Sequence, residues 1–204
     1  MSGQHVIISI GITGKIGSGK TVVAEYFKSI GYPVLFMDIV GHRILEEKRV
    51  IDKLTGRFGN SILDKNDFIN RKRLGKIVFS DLESLKYLNG IVHPEMNEYA
   101  KTWIHENAQN GYKICFLEAA ILFEMKMDEF LERILYIELT EEEIIKRTVK
   151  REKMSEEEIR KILSSQYVEE EKIDYVIDNS GSLEDLYLKC EEFEKDVLSY
   201  WKNQ

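Results

Sequence analysis

Eight consecutive residues, Gly14-Lys15-Ile16-Gly17-Ser18-Gly19-Lys20-Thr21, fit the pattern G-x-x-x-x-G-K-[ST]. Each residue type has a chemical reason to be there. The glycines let successive backbone N–H groups curl round a phosphate without Cβ clashes. A helix opening at Lys20 aims its positive end at the same anion. The Lys20 ammonium reaches the β- and γ-phosphates of a nucleoside triphosphate, and the Thr21 hydroxyl is a ligand for Mg²⁺. A chance match in a chain of this length is about a one-per-cent event on average composition. A buried strand pattern before the loop and an amphipathic helix pattern after it leave little room for a turn that binds nothing.

Further candidates lie outside the loop. Asp38 closes a second strand pattern, where a carboxylate beside the phosphate loop can take the proton of an attacking hydroxyl; the alternative is a helix N-cap. Glu118 closes a third strand and is either a Mg²⁺ carboxylate or a structural acid. Glu124, on the turn that follows, serves acceptor binding or is a solvated helix start. Arg147 and Arg151 are four apart, so they share one helix face, with Lys146 and Lys150 in the neighbouring row. They neutralise a transferring phosphoryl group, or they pair with the nearby Glu141 to Glu143. Arg71-Lys72-Arg73 with Lys76 forms a basic cluster for acceptor phosphates, or merely flanks a helix start. His93-Pro94 reads as a helix start with proline at its first position, and His93 as a substrate contact or a satisfied structural histidine.

The elements that must position these groups alternate. Val6 to Ile12, Pro33 to Met37, Tyr112 to Leu117, Ile134 to Leu139 and Tyr175 to Ile177 read as strands. Helical patterns lie between them, the first from Lys20 to Ile30 with Gly31 as its stop. This alternation predicts an α/β fold, an open five-stranded parallel sheet with helices on both faces. Starts at Ser80, Thr140, Ser155 and Ser182, each with an acid three residues on, look like capping boxes. The stretch 41–110 is too long for one crossover and reads as a helical acceptor-binding insert. Residues 141–171 read as a helical lid, which leaves 1–40, 111–140 and 172–204 as the core, closed by an amphipathic helix from Leu183 to Trp201.

The chain has 204 residues, of which 43% are hydrophobic and 32% charged, with a formal net charge of −7. That bounds it to one globular domain with inserts, and an acidic chain lacks the broad positive field that nucleic acid needs. Two cysteines without metal spacing fit a reducing compartment. No apolar run approaches the ~18 residues of a membrane span and no basic leader is seen, so the expectation is a cytoplasmic protein, a monomer or weak homo-oligomer, with no membrane partner.

A phosphate loop names a triphosphate, not a reaction. Asp38-Ile39-Val40-Gly41 resembles a GTPase D-x-x-G, but lies too near the loop for a switch segment, and no guanine-reading Asn-Lys-x-Asp is found. No Leu-Ser-Gly-Gly signature of a transporter ATPase occurs either. The lid and insert favour a small-molecule kinase, because a lid excludes water from the γ-phosphate. A kinase for another nucleotide or small alcohol, or a nucleotide-binding regulatory module, stands as the alternative.

The ordered set Thr13 to Thr21, Asp38-Ile39, Arg71 to Phe79, His93-Pro94, Leu122-Phe123-Glu124, Lys146-Arg147 with Arg151, Gln166 and Asp178 to Gly181 resembles the dephospho-CoA kinase family over nearly the whole chain. The resemblance implies a P-loop NTPase fold with ATP and dephospho-CoA as substrates and Mg²⁺ as cofactor. It implies Asp38 as general base, Thr13 and Arg147 as aids to transfer, Arg71 and His93 in acceptor binding, and Asn179 beside the adenine. The chain departs from the family's usual pattern at Phe36, at Lys15 where glycine is common, and at Glu118-Ala119-Ala120.

Overall fold

The protein is described by a computed structural model over residues 7–152 and 154–202. In chain order the elements are β1 (Ile8–Thr13), α1 (Lys20–Ser29), β2 (Val34–Phe36), α2 (Met37–Ile44), α3 (Lys48–Phe58), α4 (Arg71–Val78), α5 (Leu82–Gln109), β3 (Ile114–Glu118), β4 (Arg133–Glu138), α6 (Glu141–Glu152), α7 (Glu156–Ser165), β5 (Tyr175–Asp178) and α8 (Leu183–Lys202). The chain packs as two units, residues 36–102 and the remainder.

The larger unit carries the sheet, in the order β2-β3-β1-β4-β5. The pairs β1–β3, β1–β4 and β4–β5 are all parallel, with Ile12 opposite Glu118 on one side and Leu135 on the other. Every residue of β1 is buried, as a central strand covered on both faces must be. α1 lies against β1 and β3 and packs with α8, which covers β5. Phe27 of α1 stacks on Phe116 of β3 with centroids 4.2 Å apart, and Phe193 of α8 meets Phe27 and Tyr175 edge-on. The buried stripe Leu186, Cys190, Phe193 and Val197 explains the amphipathic pattern of α8. Burial alone pushes the Cys190 thiol up to about 12, and Cys115, also fully buried, is raised likewise, so both behave as small hydrophobes.

The unit 36–102, set against the expected insert 41–110, is helical. It packs Val40 and Ile44 of α2, Val50 and Leu54 of α3, Leu74 and Val78 of α4, and Val92 and Met96 of α5 as buried side chains. A Cβ on Gly41 would lie 3.3 Å from the Met96 thioether, so α2 and α5 run close there. Asn70 caps α4 by accepting from the Arg73 N–H at 3.1 Å.

Two helix starts differ from the sequence reading. α5 is capped by Asp81, whose carboxylate accepts from the Ser84 N–H at 2.8 Å, rather than by Ser80. That helix then runs unbroken for 28 residues through Pro94, so His93-Pro94 lies in its interior and does not start it. Proline forfeits one backbone bond there, to the Gly90 carbonyl, a loss that burial of Val92, Met96 and Ala100 on the same helix offsets. Ser155 forms the expected capping box with Glu158, and Ser182 and Asp185 bond reciprocally in the same way. Among the described residues no helix is long and apolar enough to cross a membrane.

Candidate active site

The loop from β1 to α1 is built by close approach. Gly17 and Gly19 have φ of 71° and 102°, in the left-handed region. A Cβ at Gly17 would lie 2.3 Å from the Thr148 hydroxyl, and one at Gly19 2.3 Å from the Asn179 side-chain nitrogen. Both positions therefore need glycine twice over, for backbone conformation and for space. The helix that follows starts with Val22 and Val23 N–H bonding the Gly19 carbonyl at 3.0 and 3.2 Å. A helix N-terminus of this kind turns backbone N–H groups and the positive end of the helix dipole toward an anion. Lys20 is buried, and its ammonium folds back to donate to the Lys15 carbonyl at 3.0 Å. Thr21 is exposed at the second position of α1.

Residues outside the loop hold it from several directions. The Lys15 ammonium pairs with Glu141, at the start of α6, at 3.2 Å. The Ile16 N–H donates to Gln166 Oε1 at 2.8 Å, and its side chain packs on the apolar cluster of Leu139, Ile144, Ile145, Ile159 and Leu163. The Ser18 carbonyl accepts from the Asn179 side-chain amide at 2.7 Å. Asn179 N–H in turn bonds the Glu138 carbonyl at 2.9 Å, which fixes it to the end of β4. Thr13 is buried at the end of β1, in register with Tyr136, whose phenol is raised by burial.

Helix α6 carries both arginines. Arg147 is half-buried and lies 3.6 Å from Glu143, while Lys146 donates to the same carboxylate at 3.3 Å. The acids of the first turn of α6 thus do pair with the basic rows. Arg151 is exposed one turn further on. Glu124, in the turn after β3, accepts from the Tyr167 N–H at 3.2 Å and so anchors the segment leaving α7. Glu118 is buried at the end of β3. The Thr21 hydroxyl and the Glu118 carboxylate are oxygen groups of the kind that a hard cation takes. Mg²⁺ takes one or two protein ligands and completes its shell from phosphates and water, so this sparse set fits an ion carried by a nucleotide. Among the described residues no group of three or more metal-ligating side chains forms a cage.

The remaining candidates lie in the unit 36–102. β2 ends at Phe36, so Asp38 is the second residue of α2 and exposed, not the end of a strand or an N-cap. His42 is four residues on and shares its helix face. The Arg71 guanidinium donates to His42 Nε2. Arginine has no acceptor, so the ring nitrogen is the accepting partner in this bond. Asp38, His42 and Arg71 are thereby linked through one helix face and one hydrogen bond. Arg73, from the same basic cluster, is engaged with the Leu63 carbonyl at 2.5 Å. His93 is half-buried in α5, and burial lowers its imidazole below the ordinary value.

Sequence reasoning passed over His42 and Thr148 and left Gln166 without a role. Thr148 carries no motif, and the partner of Gln166 lies 150 residues away. His42 had one available signal, its four-residue spacing from Asp38.

Comparison with known proteins adds the family. A family model described as dephospho-CoA kinase matches residues 8–185. Dephospho-CoA kinase from Dehalococcoides mccartyi is 41% identical over 115 residues, 56% of this chain and 58% of that protein. The enzyme of the same name from Fusobacterium nucleatum is 39% identical over 124 residues, 61% and 63% of the two chains. The matches thus span less than two thirds of these relatives. Among solved structures, TT1252 from Thermus thermophilus superposes with a TM-score of 0.77 at 36% identity, covering 96% of this chain and 98% of that one. Dephospho-CoA kinase from Campylobacter jejuni gives 0.65 at 26% identity, over 93% and 96%.

Proposed function

The chain belongs to the dephospho-CoA kinase family, and from that premise we propose that it transfers the γ-phosphoryl group of ATP to the ribose 3′-hydroxyl of dephospho-CoA, giving ADP and CoA, the last step of coenzyme A synthesis. The observation that carries the reading is the loop Gly14 to Thr21, with left-handed Gly17 and Gly19 leading into the N-terminus of α1.

In this reading the loop amides and Lys20 hold the β- and γ-phosphates. Arg147 and Arg151 from the lid 141–171 neutralise charge on the transferring group, and Thr13 at the head of the loop assists. Asp38 accepts the proton of the 3′-hydroxyl. The ribose oxygen then bonds to the γ-phosphorus as the bond to the β–γ bridging oxygen breaks, and ADP leaves with that electron pair. The insert receives the acceptor. Arg71 and His93 meet it there, His42 holds the Arg71 guanidinium, and Glu124 steadies the segment leaving α7. Thr21 and Glu118 would hold a Mg²⁺ ion, which would supply further charge neutralisation on the phosphate oxygens. Asn179 acts through the loop, because its side chain is committed to the Ser18 carbonyl. The same reading makes the protein a cytoplasmic monomer or weak homo-oligomer.

The test is to incubate the protein with ATP, Mg²⁺ and a panel of hydroxyl acceptors and to identify products by mass. CoA formed from dephospho-CoA supports the proposal. Phosphorylation of a different acceptor alone, or ADP release that no acceptor stimulates, rejects it.

A further inference from the structure

Gln166 bonds the phosphate loop, yet the chemistry above gives it no task. We infer that Gln166 is a positioning residue that shapes the phosphate loop from the base of the lid, by holding the Ile16 peptide in place. The inference rests on the reading of residues 14–21 as a phosphate cradle.

The Gln166 side chain is aimed by fixed backbone. It follows the last turn of α7, and its own N–H bonds the Ile162 carbonyl at 3.1 Å. The next N–H, of Tyr167, is held by Glu124 at 3.2 Å. Main chain anchored on both sides leaves little freedom to lose when the side chain bonds. Its Oε1 then accepts from Ile16 at 2.8 Å. A neutral amide suits this position. A carboxylate would also accept the bond but would place negative charge beside a polyphosphate, and lysine or arginine has no acceptor.

The peptide it holds is gripped on its other side too, because the Ile16 side chain packs on the apolar cluster of α6 and α7. The neighbours are treated alike. Lys15 pairs with Glu141, and Gly17 lies against Thr148, whose buried hydroxyl has no hydrogen-bond partner among the described residues. Three consecutive loop residues are thus set by the start of α6, the end of α7 and the middle of α6. The lid therefore does more than deliver arginines. Its base fixes the first half of the loop, and a preorganised loop spends less of its binding energy on ordering.

The experiment compares wild type, Gln166→Met and Gln166→Glu. It measures ADP binding by calorimetry, hydrogen exchange at the Ile16 amide, thermal midpoint, and KM for the acceptor. In Gln166→Met the Ile16 amide should lose protection and ADP should bind about tenfold more weakly, the upper range for one net hydrogen bond, with midpoint and acceptor KM unchanged. Gln166→Glu should keep the protection while weakening ADP at low salt, with recovery as salt screens the charge. Wild-type ADP affinity in Gln166→Met overturns the inference. So does a loss of ADP binding matched by equal losses in midpoint and acceptor KM, which marks a packing defect. A wild-type protein that binds no ADP overturns the cradle reading itself, a result distinct from either because it precedes any substitution.

Discussion

The Asn179 side-chain amide donates to the Ser18 carbonyl at 2.7 Å, and both residues are buried. The residue after β5 thus fixes the middle of the phosphate loop. Asn179→Ala should strand that carbonyl at a cost of about 1–3 kcal/mol, read as a lower urea midpoint together with weaker ADP binding. Asn179→Asp should be worse, because a carboxylate would then face a carbonyl oxygen.

Gly17 and Thr148 form a steric pair. Gly17→Ala should lower ATP turnover by about 10²-fold or more, because its Cβ would sit 2.3 Å from the Thr148 hydroxyl. Adding Thr148→Ala should restore part of it, leaving about 1 kcal/mol for the left-handed backbone. Steady-state kinetics on the four members of the cycle give the coupling, and strictly additive losses would contradict the contact.

Asp38 and His42 lie on one face of α2 but should fail differently. Asp38→Asn should lower kcat by about 10²–10⁴-fold with ADP affinity intact, as expected for loss of a base. His42→Ala should instead raise the acceptor KM by about tenfold through a loosened Arg71, and His42→Gln, which keeps an acceptor, should recover much of that. Near-wild-type turnover in Asp38→Asn would remove the base assignment.

Burial holds the His93 imidazole below its ordinary value of 6.5. The unfolded chain therefore takes up a proton at a higher pH than the folded one. Stability from this group is complete above about 6.5 and is lost as the pH falls toward and through the lower folded value. Urea midpoints measured from about pH 8 down to about pH 5 should fall for wild type and lose part of that slope in His93→Gln.

The parts of this molecule legible from its sequence are those written in neighbouring residues. The apolar run of β1, the glycine spacing of the loop and the start of α1 could all be read because each depends on contacts a few residues apart. Pro94 misled because proline marks helix starts on average, while here tertiary anchoring of α5 outweighs one lost backbone bond. At the start of α5, Ser80 and Asp81 are both good caps, and only the backbone chooses between them. The supports of the loop were invisible for another reason. Gln166 with Ile16, Asn179 with Ser18 and Thr148 with Gly17 are pairs brought together only by the assembled sheet and the packing of α6 and α7.

Ile16 occupies a position that the G-x-x-x-x-G-K-[ST] pattern leaves open to any side chain, yet here it packs against the apolar cluster of α6 and α7 and is tied by its amide. The signature is therefore portable on paper only. Grafting these eight residues into a different scaffold would carry over the letters and leave behind the braces, so a transplant should include α6 and α7 as well. Natural variation at the unspecified letters should then travel in company with variation at the far end of α7.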